Sequence, residues 1–256
     1  MTVTDNISLS RIYKLLNQYF REQWKSYLLY SVSTFGVIIL IITMNVLMNR
    51  NISYYYKDTS TLFFLGIILY GAIFGSNMFK NLSTKELASH TIMTPALHIE
   101  KFIARWIIYV PLFFICFTAF TYLADGLRFI FCEAMHEIFP NHFNDNQFRN
   151  ILSTGPSGVP IYFSFIFALS VQSGFILGGL LWRKYAFQKT FAVCLCIIFT
   201  MATDFIGLSL LLNKYSIATT KESGEILLCT TLTIITLLMW ILSYFRYKES
   251  EIINRW

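Results

Sequence analysis

The sequence predicts an all-α, polytopic membrane protein with six helical spans, and three observations predict it. Hydrophobic residues make up 55% of the 256 and charged residues only 13%, about half the roughly 25% charge of an ordinary soluble domain. Six apolar runs, each of about 20 residues, recur along the chain, long enough to cross a hydrocarbon core of roughly 30 Å as helices. Lys and Arg gather in alternate connections between those runs, as they do on the cytoplasmic side of helical membrane proteins.

The first element, within residues 1–26, is an amphipathic helix. Leu9, Ile12, Tyr13, Leu16, Phe20, Gln23 and Trp24 fall on one stripe at helical spacing, and Arg11, Lys14, Gln18, Arg21 and Lys25 fall opposite. Aromatic residues on one face and cations on the other suit a helix lying in the membrane interface. The membrane domain, 27–256, follows, with spans at 27–48, 60–79, 106–124, 159–182, 190–212 and 226–245. The run at 27–48 is too long for a signal-peptide core and ends in MNVLMNR without a small-residue cleavage pattern, so it is expected to stay as the first span. Continuous apolar runs, rather than alternation at every second residue, argue helices over a barrel, because each span must satisfy its own backbone in lipid.

Charge sets the orientation. With the N-terminus inside, the cytoplasmic segments hold 14 of the 20 Lys and Arg: Arg11, Lys14, Arg21 and Lys25 before the first span, Lys80, Lys85, Lys101 and Arg105 after the second, Arg183, Lys184 and Lys189 after the fourth, and Arg246, Lys248 and Arg255 after the sixth. Both termini are therefore expected in the cytoplasm. The net charge of +6 follows from this topology and from attraction to anionic lipid, so it calls for no nucleic acid partner.

Two connections are long. The cytoplasmic loop, 80–105, opens with Ser83-Thr84-Lys85-Glu86, an S-x-x-E capping box that starts a short helix ending near Met93. Pro95 fits the first turn of a second helix with Thr94 as its N-cap, so the chain is expected to turn at that dipeptide and run on toward the third span. The outer loop, 125–158, carries Leu127, Ile130, Phe131, Met135 and Ile138 at helical spacing, the pattern of an amphipathic helix on the outer surface. Its Glu133, His136, Glu137, His142 and Asp145 lack the order of a known metal motif, so no metal site is expected. Four of the five cysteines lie within spans, which argues against a disulfide framework. No cofactor is called for.

The order of these features resembles an ABC-2 type permease, the membrane subunit of an ATP-binding-cassette exporter. Phe79, Leu87, Thr91, Thr94-Pro95-Ala96, Glu100-Lys101-Phe102 and Arg105-Trp106 are similar to a pattern in such permeases from Bacteroidetes, as is the Gln23 to Leu29 entry to the first span. The resemblance implies a separate ATPase subunit, docked on the cytoplasmic face against Thr84, Lys85, Glu86, Ala88, Ser89, Ile92 and Met93. It also implies a second permease subunit, in a homodimer or heterodimer, with the transport path at their interface. Such permeases commonly carry a re-entrant outer segment between spans five and six, where this chain has only the short connection 213–225.

The residues themselves exclude some functions and leave others open. No G-x-x-x-x-G-K-[ST] loop is present, so this chain does not hydrolyse ATP by that route, and no catalytic arrangement of nucleophile and base lies in the spans. Asp204, the sole acid inside an expected span, is a candidate for the transport path because a carboxylate in hydrocarbon is costly; contact with outer water or with Thr200 would account for it structurally. Gly71 and Gly75, and Ser170, Gly174 and Gly178, recur every four residues and let helices approach closely. Two functions therefore stand: an ATPase-driven exporter subunit, or a membrane protein that does not transport, such as an immunity, assembly or sensor component. Scattered hydroxyls in apolar spans do not name a cargo.

Overall fold

The computed structural model describes residues 8–48, 52–80, 96–138, 161–182, 184–196 and 221–253. Among them every regular element is helical: α1 (Leu9–Met48), α2 (Ile52–Ser76), α3 (His98–Ile107), a π-helical segment (Ile108–Leu112), α4 (Phe113–Ile138), α5 (Ile161–Leu181), α6 (Ala186–Cys196) and α7 (Lys221–Ile253). Four stretches are long and apolar enough to cross a membrane: Leu9–Ile41, His98–Ile130, Tyr162–Leu181 and Leu228–Ser250. Phe63–Ser76 and Ala186–Cys196 are shorter apolar helices, and they fall within the second and around the start of the fifth expected span. The chain is a helical membrane protein. Its surface agrees, since Ile234, Leu237, Leu238, Ile241, Leu242 and Phe245 of α7 are all exposed, an apolar surface that lipid rather than water must cover.

The chain divides into two compact units, Met1–Gly71 with Ala96–Ala168, and Ala72–Pro95 with Leu169–Trp256. In the first, α1 packs along α3 and α4. Contacts climb both partners in the same direction, from Ser8 with Glu100 through Tyr19 with Arg105 and Gln23 with Tyr109 to Phe35 with Phe120, so the two rods run parallel. An aromatic core lies beside them: Phe117 is 5.6 Å from Phe63 and 5.8 Å from Phe113 between ring centroids, and Phe165 is 5.6 Å from Phe64. These are the offset and edge-on spacings that aromatic rings prefer.

Three sequence expectations change here. The amphipathic stretch and the first span form one uninterrupted helix of 40 residues, about 60 Å at ~1.5 Å per residue, and not an interfacial helix followed by a separate span. Residues 9–35 contain no Gly or Pro to stop it. Its expected apolar stripe also divides: Ile12 is buried, as are Leu15 and Tyr19, whereas Leu9, Tyr13, Phe20 and Trp24 stay exposed. The helix entering the third span begins at His98, with Leu97 as N-cap, rather than at Pro95 with Thr94. Glu100 accounts for that start, because its carboxylate accepts the Leu97 N–H at 3.2 Å. Finally, residues 125–138 do not open an outer loop but continue α4. Asp125 and Arg128 are buried as an ion pair at 2.7 Å, and two charges that neutralise each other one turn apart need not end a helix.

Pro111 explains the π-helical segment. Proline cannot donate to the carbonyl four residues back and its ring crowds that turn, so the helix widens locally and continues.

In the second unit, close backbone approach replaces aromatic bulk. A Cβ on Gly179 would lie 2.8 Å from the Ser76 carbonyl oxygen, and one on Gly75 would lie 3.2 Å from the Gln172 backbone. Gly178 faces the Thr190 side chain so closely that a methyl would collide with it. The expected small-residue packing is therefore present at Gly75 and Gly178, extends to Gly179, and is absent at Gly174, where a Cβ would meet nothing within 4 Å. Phe79 and Tyr247, both buried, meet at 5.3 Å.

Candidate functional site

Three charged or hydrogen-bonding side chains of the α3 region, Glu100, Arg105 and Tyr109, meet α1 along a single seam. Glu100 stands in the first turn of α3 and is completely buried. Its Oε1 accepts the Ser8 N–H at 2.9 Å and lies 3.2 Å from Nη2 of Arg11, while Oε2 accepts the Leu97 N–H. Ser8 is itself the residue whose carbonyl receives the first intrahelical bonds of α1, from Arg11 and Ile12. One carboxylate thus serves the open N-terminal ends of two helices, where backbone N–H groups and the helix dipole both favour negative charge. Arg11 supplies the counter-charge from the half-buried side.

Next along the seam, the Arg105 guanidinium lies over the Tyr19 ring, 4.9 Å from its centroid, a cation–π contact strengthened by burial because Arg105 is only 4% exposed. Further on, the Tyr109 hydroxyl donates to Gln23 Oε1 at 3.2 Å, and the Tyr27 ring meets Tyr109 edge-on at 6.0 Å. Lys101, 2% exposed, is also enclosed. Lys101 and Arg105 are therefore members of a packed helix, not cations of an open loop.

This arrangement ties two helix starts together. A buried carboxylate held by donors from two helices fixes the register of those helices, and losing either side leaves an uncompensated charge. Whatever displaces the start of α3 must carry the start of α1 with it.

Sequence reasoning used Glu100, Lys101 and Arg105 only as parts of a motif and as topological charges, and so missed the seam. The one available signal was an acid at the third position of a helix followed by cations one turn apart. The expected ATPase-contact residues, Thr84, Lys85, Glu86, Ala88, Ser89, Ile92 and Met93, lie outside the described residues, as do Thr94, Pro95 and Asp204. Of the acids and histidines considered for a metal, Glu133 is exposed on α4 and His142 and Asp145 lie outside the described residues. No group of three metal-ligating side chains occurs among the described residues.

Comparison with known proteins assigns no relative: no family model matches the chain, no curated protein matches it, and no solved structure matches it.

Proposed function

We propose that this chain is the transmembrane permease subunit of an ABC-type exporter, one half of a dimeric translocation path driven by a separate ATPase subunit. The observation that carries this reading is the Glu100 junction. It stands immediately after the 80–97 connection and joins α3 to α1, while α3 continues through the π-helical segment into α4. A push on that connection, by a partner that closes on nucleotide, would move two long helices as one body. Coupling of this kind is a two-state displacement passed through a packed contact.

In this reading the chain has six spans in a bacterial inner membrane with both termini in the cytoplasm. The geometry favours it in two ways. The starts of α1 and α3 lie together at Ser8 and Glu100, as they must if both enter from the same side. The ends of the apolar stretches at Ser76, Leu181 and Ser250 and the start at Ala186 likewise belong on one side. Thr84 to Met93 then meets the ATPase, and Asp204 is the acid offered to the path.

The test is purification of the chain through its own tag from its native cells. A P-loop ATPase should co-purify, with a hydrolysis rate that changes when the pair is put in lipid, and Ala88→Glu or Ile92→Glu should break the association while membrane insertion stays normal. Absence of any ATPase with the unmodified chain would overturn the transport reading in favour of a non-transport membrane component.

A further inference from the structure

The rods formed by α1 and by α3 with α4 run parallel, and their contacts fix which residues stand at the same depth. Gln23 meets Tyr109 and Phe35 meets Phe120, offsets of 86 and 85 residues. At that offset Lys25 is level with about residue 110, and Asp125, Arg128 and Glu133 are level with about residues 40, 43 and 48 of α1. One bilayer has to suit both helices at once.

Two placements of that bilayer compete. If hydrocarbon covered the apolar run 106–124, it would also cover roughly 21–39 of α1. Arg21, Glu22 and Lys25, all exposed, would then stand in lipid, while the exposed apolar side chains of Met44, Leu127 and Ile130 would stand in water. Both are costly. Moving the bilayer about six residues toward the far end removes both costs, and the exposed charges of Lys25 and Glu133 then bracket it. They are about 23 residues apart in height, roughly 35 Å at ~1.5 Å per residue, against a hydrocarbon thickness of about 30 Å. Between them the exposed surface carries Leu29, Val32 and Leu40 on α1 and Ile115, Leu123 and Leu127 on α4.

This placement brings Asp125 and Arg128 into the membrane, about 12 Å and about 8 Å inside the Glu133 edge. Both are buried and they pair at 2.7 Å, so lipid meets neither charge. The pair is made within one helix, three residues apart. It therefore enters hydrocarbon as a neutral unit, whereas Glu100 needs donors from two helices.

We infer that α1 and α4 cross the bilayer over about residues 26–47 and 111–132, and that Asp125 and Arg128 form an intramembrane ion pair that sets the depth of α4. Each charge stays in hydrocarbon because the other is there. A lone Arg128 is drawn toward the nearer edge, at Glu133, and takes α4 with it. The pair is independent of whether the chain transports anything.

Cysteine reactivity tests this in the full-length protein, with its five native cysteines replaced by alanine, in phosphatidylcholine nanodiscs that leave both faces open to a maleimide. With each rate normalised to the same chain unfolded in SDS, Leu127→Cys and Ile130→Cys should react on the order of tenfold more slowly than Glu133→Cys, because the reactive thiolate does not form in hydrocarbon. Adding Asp125→Leu should speed the Ile130→Cys reaction several-fold, and adding Arg128→Leu as well should return it to the slow rate. Equal rates at all three positions with the pair intact would put this stretch in water and overturn the placement. An Ile130→Cys rate that ignores Asp125→Leu, or that Arg128→Leu fails to restore, would overturn the role of the pair in setting depth. If Asp125→Leu alone does not insert, the chain carrying both leucines must still insert normally, and its failure would overturn that role too.

Discussion

The α1–α3 seam and the α2–α5–α6 contact solve the same problem with opposite chemistry. Lipid supplies no hydrophobic force to press one apolar helix on another, so each pair needs packing or polar bonds of its own. The seam uses a buried carboxylate with donors from two helices, and the glycine contact uses backbone approach, with Ser76 and Thr190 bonded within their own helices. The first is specific and brittle, because every donor must be in place. The second tolerates any partner that leaves the volume empty.

Breaking the comparison begins at Glu100. Glu100→Ala should cost about 3–5 kcal/mol, since it removes the acceptor for two backbone N–H groups and strands Arg11. Glu100→Gln, which keeps one acceptor oxygen, should cost less. Thermal unfolding of the purified protein in detergent measures both, and equal melting of Glu100→Ala and the unmodified chain would show that the seam does not hold the helices.

On the other side, Gly179→Ala should destabilise by about 1–3 kcal/mol through overpacking against the Ser76 carbonyl. Its melting point should drop while Gly174→Ala, in open space on α5, stays level or rises by a fraction of a kcal/mol from better helix propensity. If both alanines behave alike, close backbone approach is not what orders this unit. A finer probe is Arg105→Lys, expected to lose about 1 kcal/mol as a point charge replaces the planar cation over Tyr19. Tyr19→Phe, which keeps the ring, should change less in the same melting series.

Much of the helical architecture was legible because membrane spans announce themselves locally. A run such as 226–245 carries its signal in its own composition, and α7 lies where that run is. Gly75 and Gly178 were legible for the same reason, since small residues at a spacing of four need no knowledge of the partner. The seam was not. Glu100 meets Ser8 across 92 residues, and nothing in the periodicity around either one reports the other. The break expected after residue 26 and the loop expected from 125 failed on a different point. Charge was read as the edge of a span, but Lys14, Arg21 and Lys25 of α1 face outward along a continuing helix, and Asp125 and Arg128 cancel each other inside one.

The widened turn at Pro111 also acts as a phase corrector. Buried positions recur at Lys101, Arg105, Tyr109, Phe113, Phe117, Thr121 and Asp125, a repeat of four, which on an ordinary helix of 3.6 residues per turn would creep around the rod by roughly 40° each step. A turn that holds more residues winds the face back partway. Rewinding Ile108–Leu112 as ordinary α-helix, with all five residues kept, would rotate everything downstream by up to about 100°, swinging Phe117 off the aromatic core and the Asp125–Arg128 pair toward lipid, although not a single side chain of α4 had been altered.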